Sequence, residues 1–237
     1  MSEVKGAAME LGTERIRKLL VQYAVPAIIA MTASSLYNSI FIGHGVGALA
    51  ISGLALTFPL MNLAAAFGSL VGVGAATLVS MRLGQRDYET AQRILGNVVV
   101  LNLIIGISFG LLTLVFLDPI LYFFGASDAT IGYAREYMSV ILWGNVVTHM
   151  YLGLNAVLRA AGHPRKAMYA TILTVTINAI LDPLFIFGFG WGIRGAAIAT
   201  VLAQILALVW QFRIFSDRNE LLHFRRGIYR LKGKIVR

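Results

Sequence analysis

The chain has 237 residues, of which 58% are hydrophobic and 13% charged, with a formal net charge of +9 and no cysteine. Its mean hydropathy is +0.76. That charged share is about half that of a soluble domain. So much apolar surface exceeds what a soluble core of this size can hide. Disorder, a collagen or coiled-coil fibre and an ordinary water-soluble enzyme are excluded, as are disulfides and thiolate chemistry. The composition points to an all-α polytopic membrane protein.

The chain opens with a polar segment, residues 1–18, that carries Glu3, Glu10 and Glu14 and has no short apolar core of a secretory signal. A bilayer core about 30 Å thick needs roughly 20 apolar residues in a helix. Six stretches qualify, at about 19–42, 49–81, 94–116, 137–158, 168–187 and 195–214. The second is overlong, so part of it is expected to tilt or emerge into water. Pro26 and Pro59 are expected to kink the first two. The runs do not alternate at period two, as barrel strands would. The domain reading is a terminal segment 1–18, a six-helix bundle 19–215 and a basic tail or linker 216–237.

Charge placement orients this bundle. Of the 20 basic residues, only Arg135 and Arg194 fall on one side. The others cluster before the first span, between spans two and three, between four and five, and after span six. The positive-inside rule then puts both termini in the cytoplasm of a multi-pass plasma or inner-membrane protein. The +9 is an orientation signal, not a nucleic-acid footprint, because tails facing anionic lipid are commonly basic.

Two glycine-rich turns echo each other. Ile40-Phe41-Ile42-Gly43-His44-Gly45-Val46-Gly47 leads into the second span, and Phe185-Ile186-Phe187-Gly188-Phe189-Gly190-Trp191-Gly192 into the sixth. Gly68, Gly72 and Gly74, and the pair Gly106 and Gly110, put small residues on helix faces suited to close packing.

Asp182 is the only acidic residue well inside a span. A carboxyl there costs about 2.5–3.5 kcal/mol on insertion scales and persists where it faces a cavity or a partner. Asn178, four residues earlier, shares its helix face. An apolar environment penalises the charged form. Asp182 is therefore expected to exchange a proton or to bind Na⁺ through oxygen. A purely structural reading makes it the cap of a helix broken at Pro183. Asp118-Pro119, at an interface, reads as such a cap. Tyr37 and Asn38, Tyr137, Asn145 and Asn155, and Thr200 and Gln204 could line the same cavity or make single interhelical hydrogen bonds. His149 reads as a neutral packing residue. Phe58, Met61 and Phe67 could contact an apolar substrate but read first as core, and no histidine spacing suits a metal. No nucleophile–base arrangement or pair of catalytic carboxylates is present, so no enzyme is expected.

Together these segments resemble the N-terminal half of a MATE (multidrug and toxic compound extrusion) transporter. The resemblance is carried by Ser35-Leu36-Tyr37-Asn38, Ile40 to His44, Gly53-Leu54-Ala55-Leu56-Thr57-Phe58-Pro59-Leu60, Leu83-Gly84-Gln85-Arg86-Asp87, Leu154 to Gly162, Pro164 to Met168, Asn178-Ala179-Ile180-Leu181-Asp182-Pro183 and Gly195 to Thr200. It is nearest the branch named for a DNA-damage-inducible member. The resemblance implies cation-coupled export of organic, often cationic compounds, with H⁺ or Na⁺ as coupling ion and no other cofactor. It also implies Asn178 and Asp182 in ion coupling, with Tyr37, Tyr137, Asn155 and Thr200 lining the cavity.

Two features depart from the family pattern. Members carry two apolar residues and an Asp between the first-span Tyr-Asn and the Phe-Ile-Gly segment. Here Tyr37-Asn38 runs straight into Ser39-Ile40-Phe41. A second coupling carboxylate is missing, and the three-residue gap rotates the rest of that helix by roughly 60°. Members also have two six-helix lobes, and alternating access needs both. The expected partners are therefore the bilayer, organic cations and a second lobe, the chain being a fragment, a split half or a protomer that dimerises. A non-transporting assembly module and a lipid-linked precursor flippase remain the alternative readings.

Overall fold

The computed structural model describes residues 40–217, 220–225 and 227–229, together with Val21, Val25, Ile28, Ile29, Thr32 and Leu36. Tyr37, Asn38, Pro26 and the segment 1–18 lie outside the described residues. Among the described residues, a helical stretch ending at residue 45 is followed in order by α1 (Ala48–Gly84), α2 (Tyr88–Val115), α3 (Leu117–Phe123), α4 (Ile131–Trp143), α5 (Asn145–Ala160), α6 (Pro164–Pro183) and α7 (Gly192–Ser216). A π-helical turn, Leu184–Gly188, separates the last two. No strand occurs among the described residues. Backbone groups in lipid must pair within their own segment, which leaves helices as the solution.

Four helical stretches are long and apolar enough to cross a membrane, Ala48–Gly84, Tyr88–Val115, Pro164–Gly188 and Gly192–Ser216. The bent pair Ile131–Trp143 and Asn145–Ala160 makes a fifth. These match the second to sixth predicted spans. At 37 residues α1 is about 55 Å long, well beyond a bilayer core, and it continues through Pro59 without a break. Phe58 and Phe67, expected in the core, are instead each partly exposed, on opposite sides of α1, and the Phe67 ring lies 5.4 Å from that of Phe109 on α2.

The fourth span was expected to be one helix and is two, bent by 57° at Gly144. A close approach holds glycine at this bend. Val201 of α7 presses on Gly144, and a Cβ there would stand 2.5 Å from its side chain. Asn145, just past the bend, donates to Gly106 O on α2 at 2.9 Å. A Gly144→Val variant is expected to lose about 1–3 kcal/mol of stability by overpacking. Adding Val201→Ala should return most of it, read as thermal unfolding midpoints in detergent.

The bent pair is the hub of the bundle. On α1, a Cβ at Gly68 would stand 3.2 Å from His149 Cα, and one at Gly72 2.9 Å from Gly153 Cα. On α2, the same test at Gly106 meets Val146 Cα at 3.0 Å, and at Gly110 meets Leu142 O at 3.1 Å. Both predicted small-residue faces therefore seat on this one span. Gly74 is not part of that face, since a Cβ there meets nothing within 4 Å.

Two apolar cores stack along the bundle. One holds Ile42, Leu60, Met138, Ile186 and Ile193. The other, at the end rich in Arg and Lys, holds Val79, Leu95, Leu154, Leu158 and Phe215. The two echoing glycine turns meet in the first core. Phe41 packs edge-on against Phe187 with ring centroids 6.2 Å apart. A Cβ at Gly45 would sit 2.5 Å from Ile186.

At the less basic end Asp118 departs from the expected cap. It opens α3 but accepts both bonds of a bidentate pair, from Arg135 Nε and from a terminal guanidinium nitrogen, each at 2.7 Å. That guanidinium holds the Asp118 carboxyl below the usual carboxylate range. The stabilisation is thus present above the unfolded value, near pH 4, and is lost as pH falls through the lower folded value. Both side chains are about half exposed. An Arg135→Ala variant should lower the unfolding midpoint only slightly, and high salt should shrink the difference.

Candidate functional site

Pro183 has no N–H to offer the turn before it, and its ring crowds the carbonyl of Ala179. The α-helical register ends there and relaxes into a π turn closed by Phe189 N–H to Leu184 O at 3.0 Å. Asp182 sits directly before this change. It is at the C-terminal end of α6, where the helix dipole gives a negative group no support.

Asp182 is nevertheless 0% exposed. One carboxylate oxygen accepts from Asn178 Nδ2 at 2.9 Å. The same amide reaches Thr200 Oγ1 on α7 at 3.4 Å. Thr200 donates in turn to Ala196 O at 3.0 Å. Tyr137 of α4, also buried, interacts with Thr200 and lies close enough to feel the charge of Asp182. The second oxygen, Oδ2, is buried without a hydrogen-bond partner. The cap reading fails on this geometry, because the carboxylate bonds a side-chain amide and no backbone N–H caps onto it. Three elements, α4, α6 and α7, thus converge on one buried acid.

The oxygens of Asp182, Thr200 and Tyr137 are hard donors suited to a proton or Na⁺. Among the described residues no three His, Cys, Asp or Glu side chains converge as a metal cluster would require.

The other predicted residues stand apart. Asn155 lies on α5 toward the basic end. It donates to Ala167 O at 3.2 Å and accepts from Arg159 at 2.7 Å. Its partners Ala167 and Thr171 lie at least eleven residues, about 16 Å, down α6 from Asp182. Gln204 accepts from Thr148 at 2.6 Å, tying α5 to α7. His149 is buried between Gly68 and Phe109, with Nδ1 on Asn145 O at 2.9 Å. Tyr37 and Asn38 fall outside the described residues.

The family model described as MatE matches residues 24–184. The multidrug export protein MepA of Staphylococcus haemolyticus (strain JCSC1435) is 32% identical over 212 residues, 88% of this chain and 47% of that protein. MepA of Staphylococcus aureus (strain NCTC 8325 / PS 47) is 29% identical over 208 residues, 86% of this chain and 46% of its own. Among solved structures, the outward-facing conformation of a multidrug resistance MATE family transporter of the MOP superfamily superposes with a TM-score of 0.84 at 27% identity. It covers 96% of this chain and 51% of that one. A MATE crystal structure in the straight conformation gives 0.82 at 28% identity, covering 92% and 49%. The chain spans about half the length of the curated relatives it matches.

Proposed function

The chain belongs to the MatE family, and on that premise we propose that it is one six-helix half of a multidrug exporter in which Asp182 couples organic-cation efflux to H⁺ or Na⁺ entry. The observation that carries this reading is the buried carboxylate with one oxygen on Asn178 and the other unpartnered. A buried group in that state gains from any cation that neutralises it. Proton or Na⁺ occupancy and drug occupancy then become alternatives at one site. Pro183 and the π turn beside it are the part of α6 able to repack when the charge is cancelled.

The basic end of the bundle faces the cytoplasm in this reading. The exposed apolar face of α1, with Leu63, Phe67 and Leu70, meets lipid or the second half. The test is co-reconstitution of the chain with the six-helix half that completes it, in vesicles carrying either a pH or a Na⁺ gradient. Export of an organic cation that dissipates one of the two gradients is the expected result. Drug movement with neither ion moving defeats the proposal.

A further inference from the structure

After α7 the chain turns back on the bundle. Phe224 N–H donates to Phe215 O at 2.7 Å. Its ring lies against Phe212 and Phe215, with centroids 5.4 and 5.6 Å away. The next contact is with α2, where Gln92 Nε2 donates to His223 O at 2.6 Å. Gly96, one turn further along α2, leaves the space the strap needs. A Cβ there would stand 2.2 Å from the Ile228 carbonyl oxygen. Side chains along this strap divide sharply by exposure. Leu222 is 2% exposed and Ile228 6%, whereas their neighbours Leu221 and Tyr229 are 42% and 44%.

The third contact is ionic. Glu220, with only 12% of its side chain exposed, accepts from Lys166 Nζ at 2.5 Å. Its other oxygen stands 2.8 Å from His163 Nε2. Both partners belong to the start of α6. Residues 217–237 hold seven basic side chains and only two acids, Asp217 and Glu220. An enclosed carboxylate is costly unless paired, so its seating between two bases selects one register for the strap.

We propose that the strap formed by residues 220–225 and 227–229 is an intramolecular latch, in which Glu220 clamps the start of α6 to α2 and to the end of α7. The basic end of α6 is thereby the fixed end. Rearrangement of that helix is confined to its far end, where Pro183 and the π turn lie. Neither the coupling ion nor the exported compound enters this inference.

The chain has no cysteine, so single-cysteine reporters read one site each. Leu222→Cys is compared with Leu221→Cys in the purified full chain, by the rate of maleimide labelling. Leu222→Cys should react at least about tenfold more slowly, as a site that opens only with the latch. Adding Glu220→Gln, or separately Gly96→Leu, should raise its rate to that of Leu221→Cys while the protein still elutes as one symmetrical peak. Equal rates in the otherwise unaltered chain overturn the latch. So does protection of Leu222→Cys that survives Glu220→Gln. Should Leu222→Cys fail to fold, Ile228→Cys against Tyr229→Cys makes the same comparison.

Discussion

Asp182→Asn is expected to abolish ion-coupled export while leaving the bundle folded. The amide has nearly the shape of the carboxylate and can still accept from Asn178 Nδ2, so the contact to α7 through Thr200 survives. What it loses is the ability to change charge. If efflux depends on a proton or Na⁺ replacing a cationic drug at this oxygen, the rate driven by an imposed gradient should fall at least about tenfold, equivalent to about 1.4 kcal/mol in the barrier. Thermal stability should hold or rise, since a buried neutral amide is penalised less than a carboxylate with one unpaired oxygen. The measurement is drug efflux from vesicles holding the completed transporter, alongside an unfolding curve of the same preparation. Undiminished gradient-driven efflux would sink the coupling role. A collapse of both efflux and stability would instead make Asp182 a structural group.

Much of this site was legible because it is local. The four-residue spacing of Asn178 and Asp182 dictates a shared helix face, and Pro183 dictates a break after it. Hydropathy marked the spans because lipid imposes one length on every helix. Depth along a neighbouring helix was not legible. Asn155 has the right residue type, yet its partners Ala167 and Thr171 lie near the opposite end of α6 from Asp182. The bend at Gly144 was hidden for a similar reason. A missing Cβ matters only once Val201, nearly sixty residues later, is known to press on it. Asp118 looked like a cap because its partner Arg135 is seventeen residues away, beyond any local rule. The strap read as a basic tail because its net charge concealed the alternation of buried Leu222 and exposed Leu221.

Gly72→Leu is expected to break the α1–α5 contact and so cost a large share of the bundle's stability. The apolar faces of membrane helices gain nothing by leaving lipid for each other, so close backbone packing carries their association. α1 and α5 approach most closely where Gly72 meets Gly153, both without a side chain. A Cβ at Gly72 would stand 2.9 Å from Gly153 Cα and 3.2 Å from Ala156 Cβ. Neither atom can swing away, because one is backbone and the other is attached directly to it. Relief therefore requires the two helices to separate over several turns. Such separation also loosens the seat of His149 on Gly68. Overpacking of mobile side chains costs about 1–3 kcal/mol, and this fixed contact should lie at or above the top of that range. Gly74→Leu is the internal control, being two residues away with nothing within 4 Å of its Cβ position. Unfolding in detergent should show Gly72→Leu melting several degrees or more below Gly74→Leu, or failing to accumulate as folded protein. Equal midpoints would mean that α1 is not held by this contact, and that the bent span is not the hub of the bundle.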